Sequence, residues 1–260
     1  MMVTERKEMF TEELTLLKKI QKYGEEHSQG KLERVEKVKL LLLYRIYSNL
    51  YASLLLTAQV LKTGKSSFFQ LPIGLLLRCC FTDCLFAIYI QRANKKQVYE
   101  ELDLRTIEYA NSMLERKEVY RDQVKSTGII CDDAFIDHLW ELTMEDNFLG
   151  LLTLDDDQEK LTVIKRSKQQ LKDEGFSRAK GVKTKDIVDF LISIPELRKV
   201  VTRLYHYYKY FSQYEHFSET GQGDVLVSSE KSGNDNIHLP SAIRALSAGV
   251  EIVMKIMDNN

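Results

Sequence analysis

Glycine, proline and cysteine are all scarce in this sequence of 260 residues, which contains 12 Gly, 3 Pro and 4 Cys. The chain therefore has few residues that interrupt regular structure, while the helix-favouring residues Leu, Lys and Glu are abundant. Hydrophobic residues make up 44% of the chain, which is enough to fill a core and excludes a disordered protein. The composition predicts an all-α protein.

An excess of charge of either sign is also missing. The chain has 37 Lys and Arg against 38 Asp and Glu, so its net charge of -1 gives no general attraction to nucleic acid or anionic lipid. A local basic patch could still bind either one. The first residues are charged and contain no apolar signal segment, so we expect a cytoplasmic protein.

Long uninterrupted apolar runs are absent as well. The most apolar stretch, from Leu40 to Leu61, contains Arg45, Ser48 and Asn49. A membrane span needs about 20 nearly unbroken apolar residues. We therefore favour a buried bundle helix over membrane insertion.

The four cysteines do not form a recognisable site. Cys79, Cys80 and Cys84 lie in one helical stretch, and Cys131 is far away in the sequence. This spacing does not match a zinc site, and neighbours on one helix cannot form a disulfide without breaking it. We expect reduced thiols, no metal site and no cofactor.

The order of helical segments predicts one domain over residues 1–260. We expect an all-α helical bundle with long central antiparallel helices, a peripheral helical insertion at about 95–185 and a mobile loop at 219–238. Helices are predicted to begin near Pro72 and Pro195, because proline suits a first helical turn.

The first helix is predicted to bury one apolar face. Phe10, Leu14, Leu17 and Ile20 are spaced at three, four or seven residues, as one side of a helix requires.

Two charges interrupt the apolar third helix, PIGLLLRCCFTDCLFAIYIQR. Arg78 and Asp83 are five residues apart, about 140° around a helix, so they do not face each other directly. Burying either charge without a partner costs several kcal/mol. Two interpretations stay open: Arg78 forms a structural ion pair with a neighbouring helix, or it points into a polar site at the bundle centre.

One region is locally basic. It follows the acidic run at 155–157 and contains six candidate nucleic-acid contacts: Lys165, Arg166, Lys168, Arg178, Lys180 and Lys183. A solvated helix face with a mobile loop explains such a pattern, and so does a patch that binds the phosphates of RNA or DNA.

The segment RLYHYYKYFSQYEHF, residues 203–217, has the highest density of reactive side chains. Lys209, Ser212 and His216 are separated by three, four and seven residues, so they share one face of a helix, and Tyr205 lies one turn earlier on the same stripe. Histidine is the one side chain in this group that titrates near neutral pH without help.

Two segments resemble the HEPN-like helical bundles (higher eukaryotes and prokaryotes nucleotide-binding), in particular a bacterial branch of unknown function. They are PIGLLLRCCFTDCLFAIYI in the third helix and YYKYFSQYEHFS in the late helix. The resemblance implies a helical bundle in which Arg78, Asp83, Ser212 and His216 meet at a polar centre. It also implies a link to RNA or nucleotides and a homodimer.

Ribonucleases of that superfamily use an arginine and a histidine with four to six residues between them. The positions at that distance before His216 are Lys209, Tyr210 and Phe211, and none is arginine. Lysine does not reproduce the two-pronged contact of a guanidinium with phosphate.

We therefore expect a non-catalytic binding or assembly module with a buried polar network. The alternative is a metal-independent ribonuclease in which His216 is the general acid or base and Lys209 or Arg78 stabilises charge on the phosphate.

Overall fold

A computed structural model of the protein describes residues 2–28, 32–63, 67–126, 168–212 and 238–257. All regular structure within these ranges is helical, which confirms the predicted all-α class. The helices are α1 (Met2–His27), α2 (Arg34–Thr63), α3 (Ser67–Arg92), α4 (Lys95–Ser126), α5 (Lys168–Asp173), α6 (Thr184–Ile192), α7 (Arg198–Ser212) and α8 (His238–Met257).

The chain divides into two compact units. The first consists of residues 1–93 and 183–260, and the second of residues 94–182. The second unit covers nearly the same residues as the predicted insertion at about 95–185. The prediction that the chain forms one domain stays a prediction, and the predicted mobile loop at 219–238 lies almost entirely outside the described residues.

Helix α3 is the centre of the first unit. It packs against α2, α6, α7 and α8, while α1 packs against α2 and α8. Leu77, Phe81, Leu85 and Ile88 are fully buried along it. From residue 83 to residue 90 every side chain of α3 is buried, which is typical of a helix surrounded by others.

Helices α1 and α8 run parallel in a constant register. Glu12 forms an ion pair with Arg244 at 3.2 Å, and Lys19 forms one with Glu251 at 2.7 Å. The partners are 232 residues apart in both pairs. Two helical turns separate the pairs on each helix, so the same two faces meet at both points.

The buried face of α1 differs from the prediction. Leu14, expected in the core, is 43% exposed, whereas Leu16 is buried beside Leu17 and Ile20. Glu13 is also buried in this stripe. The core side is therefore rotated by about one residue relative to the predicted stripe, and it includes a carboxyl group that hydrophobic spacing could not indicate.

Two predicted helix starts are also wrong. Pro72 is the sixth residue of α3, which begins at Ser67, so the helix continues past the hydrogen bond that a proline cannot donate. Pro195 lies in a turn in which the backbone N–H groups of Leu197 and Arg198 both donate to the Ile194 carbonyl. Helix α7 begins three residues later than the proline for that reason.

The second unit is held together by carboxylates of α4. Glu101 is completely buried and accepts a hydrogen bond from the Val182 backbone at 2.9 Å. It also pairs with Arg105 at 2.7 Å and with Arg178 at 3.2 Å. Glu100 accepts hydrogen bonds from the Ser177 backbone and hydroxyl. These contacts fix the segment that follows α5 against α4.

The same segment leaves α5 through a left-handed glycine. Gly175 has a φ of +87°, and its N–H donates to the Lys172 carbonyl while that of Phe176 donates to Leu171. This pair of bonds is the Schellman helix ending. It turns Phe176 onto a small core of Leu104, Ile107 and Leu171.

Within the described ranges, two helical segments are long and apolar enough to cross a membrane, Arg34–Val60 and Leu71–Arg92. Central helices of soluble proteins have the same length and composition. Of the apolar stretch in the α3 segment, 67% is buried within the protein.

Candidate functional site

Stacked aromatic rings join α3 to α7. Phe81 of α3 is fully buried, and its ring stacks on Tyr207 at 5.7 Å and on Phe211 at 5.9 Å between centroids. Tyr207 and Phe211 are one helical turn apart, so both face the same neighbour. This packing fixes the rotation of α7 about its own axis and thereby decides which of its side chains face outward.

Arg78 lies one turn before Phe81 and reaches the end of α7. Its Nε donates a hydrogen bond to the Ser212 hydroxyl at 3.3 Å, and the hydroxyl in turn donates to the Tyr208 carbonyl at 2.7 Å. The Arg78 guanidinium carbon lies 5.6 Å from the centre of the Tyr208 ring, within the range of a cation–π contact. The structure thus brings together Arg78 and Ser212, two of the predicted site residues.

The cation–π contacts continue along α7. The Tyr208 ring stacks on Tyr205 at 5.8 Å with an angle of 15° between the planes, and the Lys209 ammonium lies 6.0 Å from the Tyr205 ring. These contacts link Arg78, Tyr208, Tyr205 and Lys209 in that order. Both tyrosine rings are half-buried, so part of each is open to solvent.

All the Lys, Arg, Asp and Glu side chains of α7 are cations. Residues 198–212 contain four Lys or Arg and not one Asp or Glu. All four cations are exposed: Arg198, Lys199, Arg203 and Lys209. The sequence interpretation treated residues 155–185 as the one basic region and missed this second one. A count of charges over the fifteen residues of the helix would have found it.

Asp83 contacts Arg45 of α2, which is not one of the predicted site residues. Its Oδ2 lies 3.3 Å from the Nε of Arg45, and Asp83 is buried whereas Arg45 is mostly exposed. Arg78 and Asp83 therefore contact different neighbouring helices, as their 140° separation allows. The meeting of Arg78, Asp83, Ser212 and His216 stays a prediction, because His216 lies outside the described residues.

The other predicted basic region is only partly described. Lys165 and Arg166 lie outside the described residues, and Lys168 is the first residue of α5. Arg178 is occupied by its ion pair with the buried Glu101. Lys180 and Lys183 are exposed. Two of the six candidates are thus exposed cations, and one has a structural partner.

Neither thiol chemistry nor a metal site appears in the part of the chain that the structure describes. Cys80 and Cys84 are buried and Cys79 is half-buried, and all three are free thiols, whereas Cys131 lies outside the described ranges. Burial raises the pKa of the Cys80 and Cys84 thiols, so both stay protonated near neutral pH. Within the same ranges, no three His, Cys, Asp or Glu side chains are grouped so that they could hold a metal ion.

No protein-family model matches the chain, and neither a curated protein nor a solved structure is significantly similar to it. The resemblance to the HEPN-like bundles stays a prediction.

Proposed function

We propose that the chain is a non-catalytic, HEPN-like binding module that holds single-stranded RNA on the outer face of α7. The observation that carries the proposal is the composition of α7, which has four exposed cations and no carboxylate, together with the stacked rings of Tyr205 and Tyr208 on the same helix. Proteins that bind single strands combine the same two features, a positive surface for the backbone and aromatic rings for the bases.

The cations supply the electrostatic part of the binding. Lys199, Arg203 and Lys209 are exposed and lie within three turns of one helix, so they bring three positive charges to its solvent side, where phosphates can reach them. The near-zero net charge of the whole chain does not oppose this, because charges more than about 8–10 Å away are largely screened at physiological salt. Binding of this kind weakens steeply as the salt concentration rises.

The rings supply the stacking interaction that distinguishes single strands from duplexes. An unpaired base exposes its π-face, which a tyrosine ring can stack on, whereas the bases of a duplex are already stacked on each other. The hydrogen bond from Arg78 to Ser212 ties the end of α7 to α3, so the rings are held in place before RNA binds.

Fluorescence anisotropy with a labelled single-stranded RNA of about 12 nucleotides tests the proposal. Changing Lys199, Arg203 and Lys209 together to Gln should weaken binding and reduce the salt dependence, the slope of log K against log salt, by about 2. Tyr205→Leu should weaken binding about tenfold or more and leave the slope unchanged, since it removes stacking and no charge.

The matched control replaces three exposed lysines that belong to other helices, Lys18, Lys96 and Lys172, with Gln. It removes the same charge and should leave binding close to that of the parent chain. The proposal is wrong if this control weakens binding as much as the α7 variant does, or if binding depends on Lys180 and Lys183 instead.

A denaturing gel of the same RNA separates binding from cleavage. Intact RNA is the result expected for a non-catalytic module. Cleavage that disappears in a folded His216→Ala variant would favour the ribonuclease alternative, in which His216 transfers a proton.

A further inference from the structure

Helix α2 carries an apolar stripe on its outer side. Four large side chains on it are exposed: Leu41 at 57%, Tyr44 at 39%, Tyr51 at 46% and Leu55 at 53%. Ser48 is exposed between the two tyrosines. The steps between these residues are three, four, three and four, which is the spacing of a seam where one helix packs on another.

The stripe has the same order of residue types in both directions. From Leu41 to Leu55 it reads Leu, Tyr, Ser, Tyr, Leu, with the two leucines seven residues on either side of Ser48. A two-fold axis through Ser48 would place Leu41 of one copy opposite Leu55 of the other. It would place Tyr44 within one residue of Tyr51, since these lie four residues before and three residues after Ser48. A two-fold interface between identical copies brings the same patch together from both sides, so this order would place apolar side chains against apolar side chains.

The two tyrosines of the stripe are held in position by their neighbours. A Cβ on Gly24 of α1 would lie 2.8 Å from the Tyr44 hydroxyl, so the glycine leaves the space that the Tyr44 side chain fills. The ring of Tyr51 stacks on Tyr47 at 6.3 Å with nearly parallel planes. Side chains that are already ordered lose little freedom on binding and are good anchors for an interface.

The available area fits a weak dimer. The four exposed side chains present roughly 400 Å² on each copy, at about 150–250 Å² for a whole aromatic side chain. Two copies thus supply about 800 Å² before the flanking residues contribute, and specific interfaces begin near 1,200 Å². The stripe is about 38 Å long between Lys37 and Lys62, long enough for the flanking residues to supply the rest.

We propose that a second copy of this chain packs on the α2 stripe, antiparallel, with the two-fold axis at Ser48. Leu41, Tyr44, Ser48, Tyr51 and Leu55 form the seam between the two copies. The exposed side chains of Lys37 and Lys62 lie beyond its two ends. The surface is separate from the cationic face of α7, so the dimer does not depend on the function proposed above.

Sedimentation velocity of the parent chain over about 2–200 µM is the first test, and the mass should rise from 30.3 kDa toward twice that value. Leu41→Glu should raise the dimer dissociation constant about tenfold or more, because it buries a carboxylate at both ends of the interface. Leu14→Glu is the matched control, since Leu14 is a similarly exposed leucine on α1, and it should leave the dissociation constant unchanged.

A charge exchange tests the antiparallel direction. Leu41→Glu combined with Leu55→Lys should restore the dimer relative to either single change, since each new carboxylate lies opposite a new ammonium in the other copy. In a parallel dimer the same double variant would place like charges together and dissociate further. Ser48→Cys should give a disulfide-linked dimer on mild oxidation, and Lys18→Cys and the parent chain should not.

The proposal is overturned if the parent chain stays monomeric throughout the concentration range. It is overturned as well if the parent dimerises and Leu41→Glu, with an unchanged circular-dichroism spectrum, has no effect. A monomer that binds lipid vesicles through the stripe would assign this face to a membrane surface and would also refute the proposal.

Discussion

The buried carboxyl group of Glu13 should make the stability of the protein depend on pH. Glu13 is completely buried in the core stripe of α1, and neither carboxyl oxygen has a hydrogen-bond partner in the described part of the chain. Burial raises the pKa of Glu13 from 4.5 to about 7, because the ionised form loses its hydration. The folded protein therefore holds a proton that the unfolded chain releases at lower pH.

The difference between the two pKa values corresponds to about 3 kcal/mol of unfolding free energy. Because the folded pKa is the higher one, stability is greatest below pH 4.5 as far as this group is concerned, and it falls as the pH rises to about 7. Glu13→Gln removes the titration while keeping the size and shape of the side chain. Relative to the parent, it should stabilise by about 1 kcal/mol at pH 5 and by about 3 kcal/mol at pH 8.

Urea denaturation of both proteins at several pH values between 5 and 8 measures this difference. The melting temperature at pH 8 should rise by roughly 6–12 °C, at about 2–4 °C per kcal/mol for a chain of this size. Glu26→Gln on the same helix is the control, since Glu26 is exposed beside Lys22, and its effect should be small. A Glu13→Gln effect that is equal at pH 5 and pH 8, or absent at both, would refute the reasoning.

Three further changes test other contacts, each by thermal or urea denaturation. Ser212→Ala removes the acceptor for the Arg78 Nε and should cost about 1–3 kcal/mol, while Ser212→Thr should retain most of the stability because it keeps a hydroxyl. Gly249→Ala should destabilise by about 1–3 kcal/mol, since its Cβ would lie 2.6 Å from the Cys84 sulfur. Glu101→Gln should cost about 3–5 kcal/mol because it leaves a buried ion-pair network incomplete. Unchanged stability in any of the three would contradict the role assigned to that residue.

The helices were predictable because they depend on local composition and spacing. Residue spacing and composition predict helices at about Thr4–His27, Leu32–Lys62 and Lys95–Lys125, and the bounds of α1, α2 and α4 agree with these to within two residues. Each of the three is long and free of proline. The predicted start of α3 at Pro72 is five residues too late, because the core packing around this helix outweighs the one hydrogen bond that the proline cannot donate. Such an outcome depends on the neighbours of a helix and not on its own sequence.

The candidate site was predictable only in part. The spacing of Lys209 and Ser212 placed them on one face, and the structure adds that the Ser212 hydroxyl meets Arg78 across the bundle. The pairing of Asp83 with Arg45 could not be derived, because a contact between helices depends on how each one is rotated. The burial of Glu13 was missed for the same reason, since its charge marked it as a surface residue.

The two proposed surfaces lie on two different helices, α2 and α7, that both pack against α3. Helix α3 packs against α2 and against α7, so the dimer stripe and the cationic face belong to different helices that share a core. Variants of one surface should therefore leave the other intact: Leu41→Glu should make a monomer that still binds a short RNA, and Lys209→Gln should leave a dimer. A dimer of this kind carries two α7 faces, so an RNA long enough to reach both should bind more tightly than a short one. Leu41→Glu should abolish that advantage of length without changing the affinity for the short strand, a combination that neither surface alone would produce.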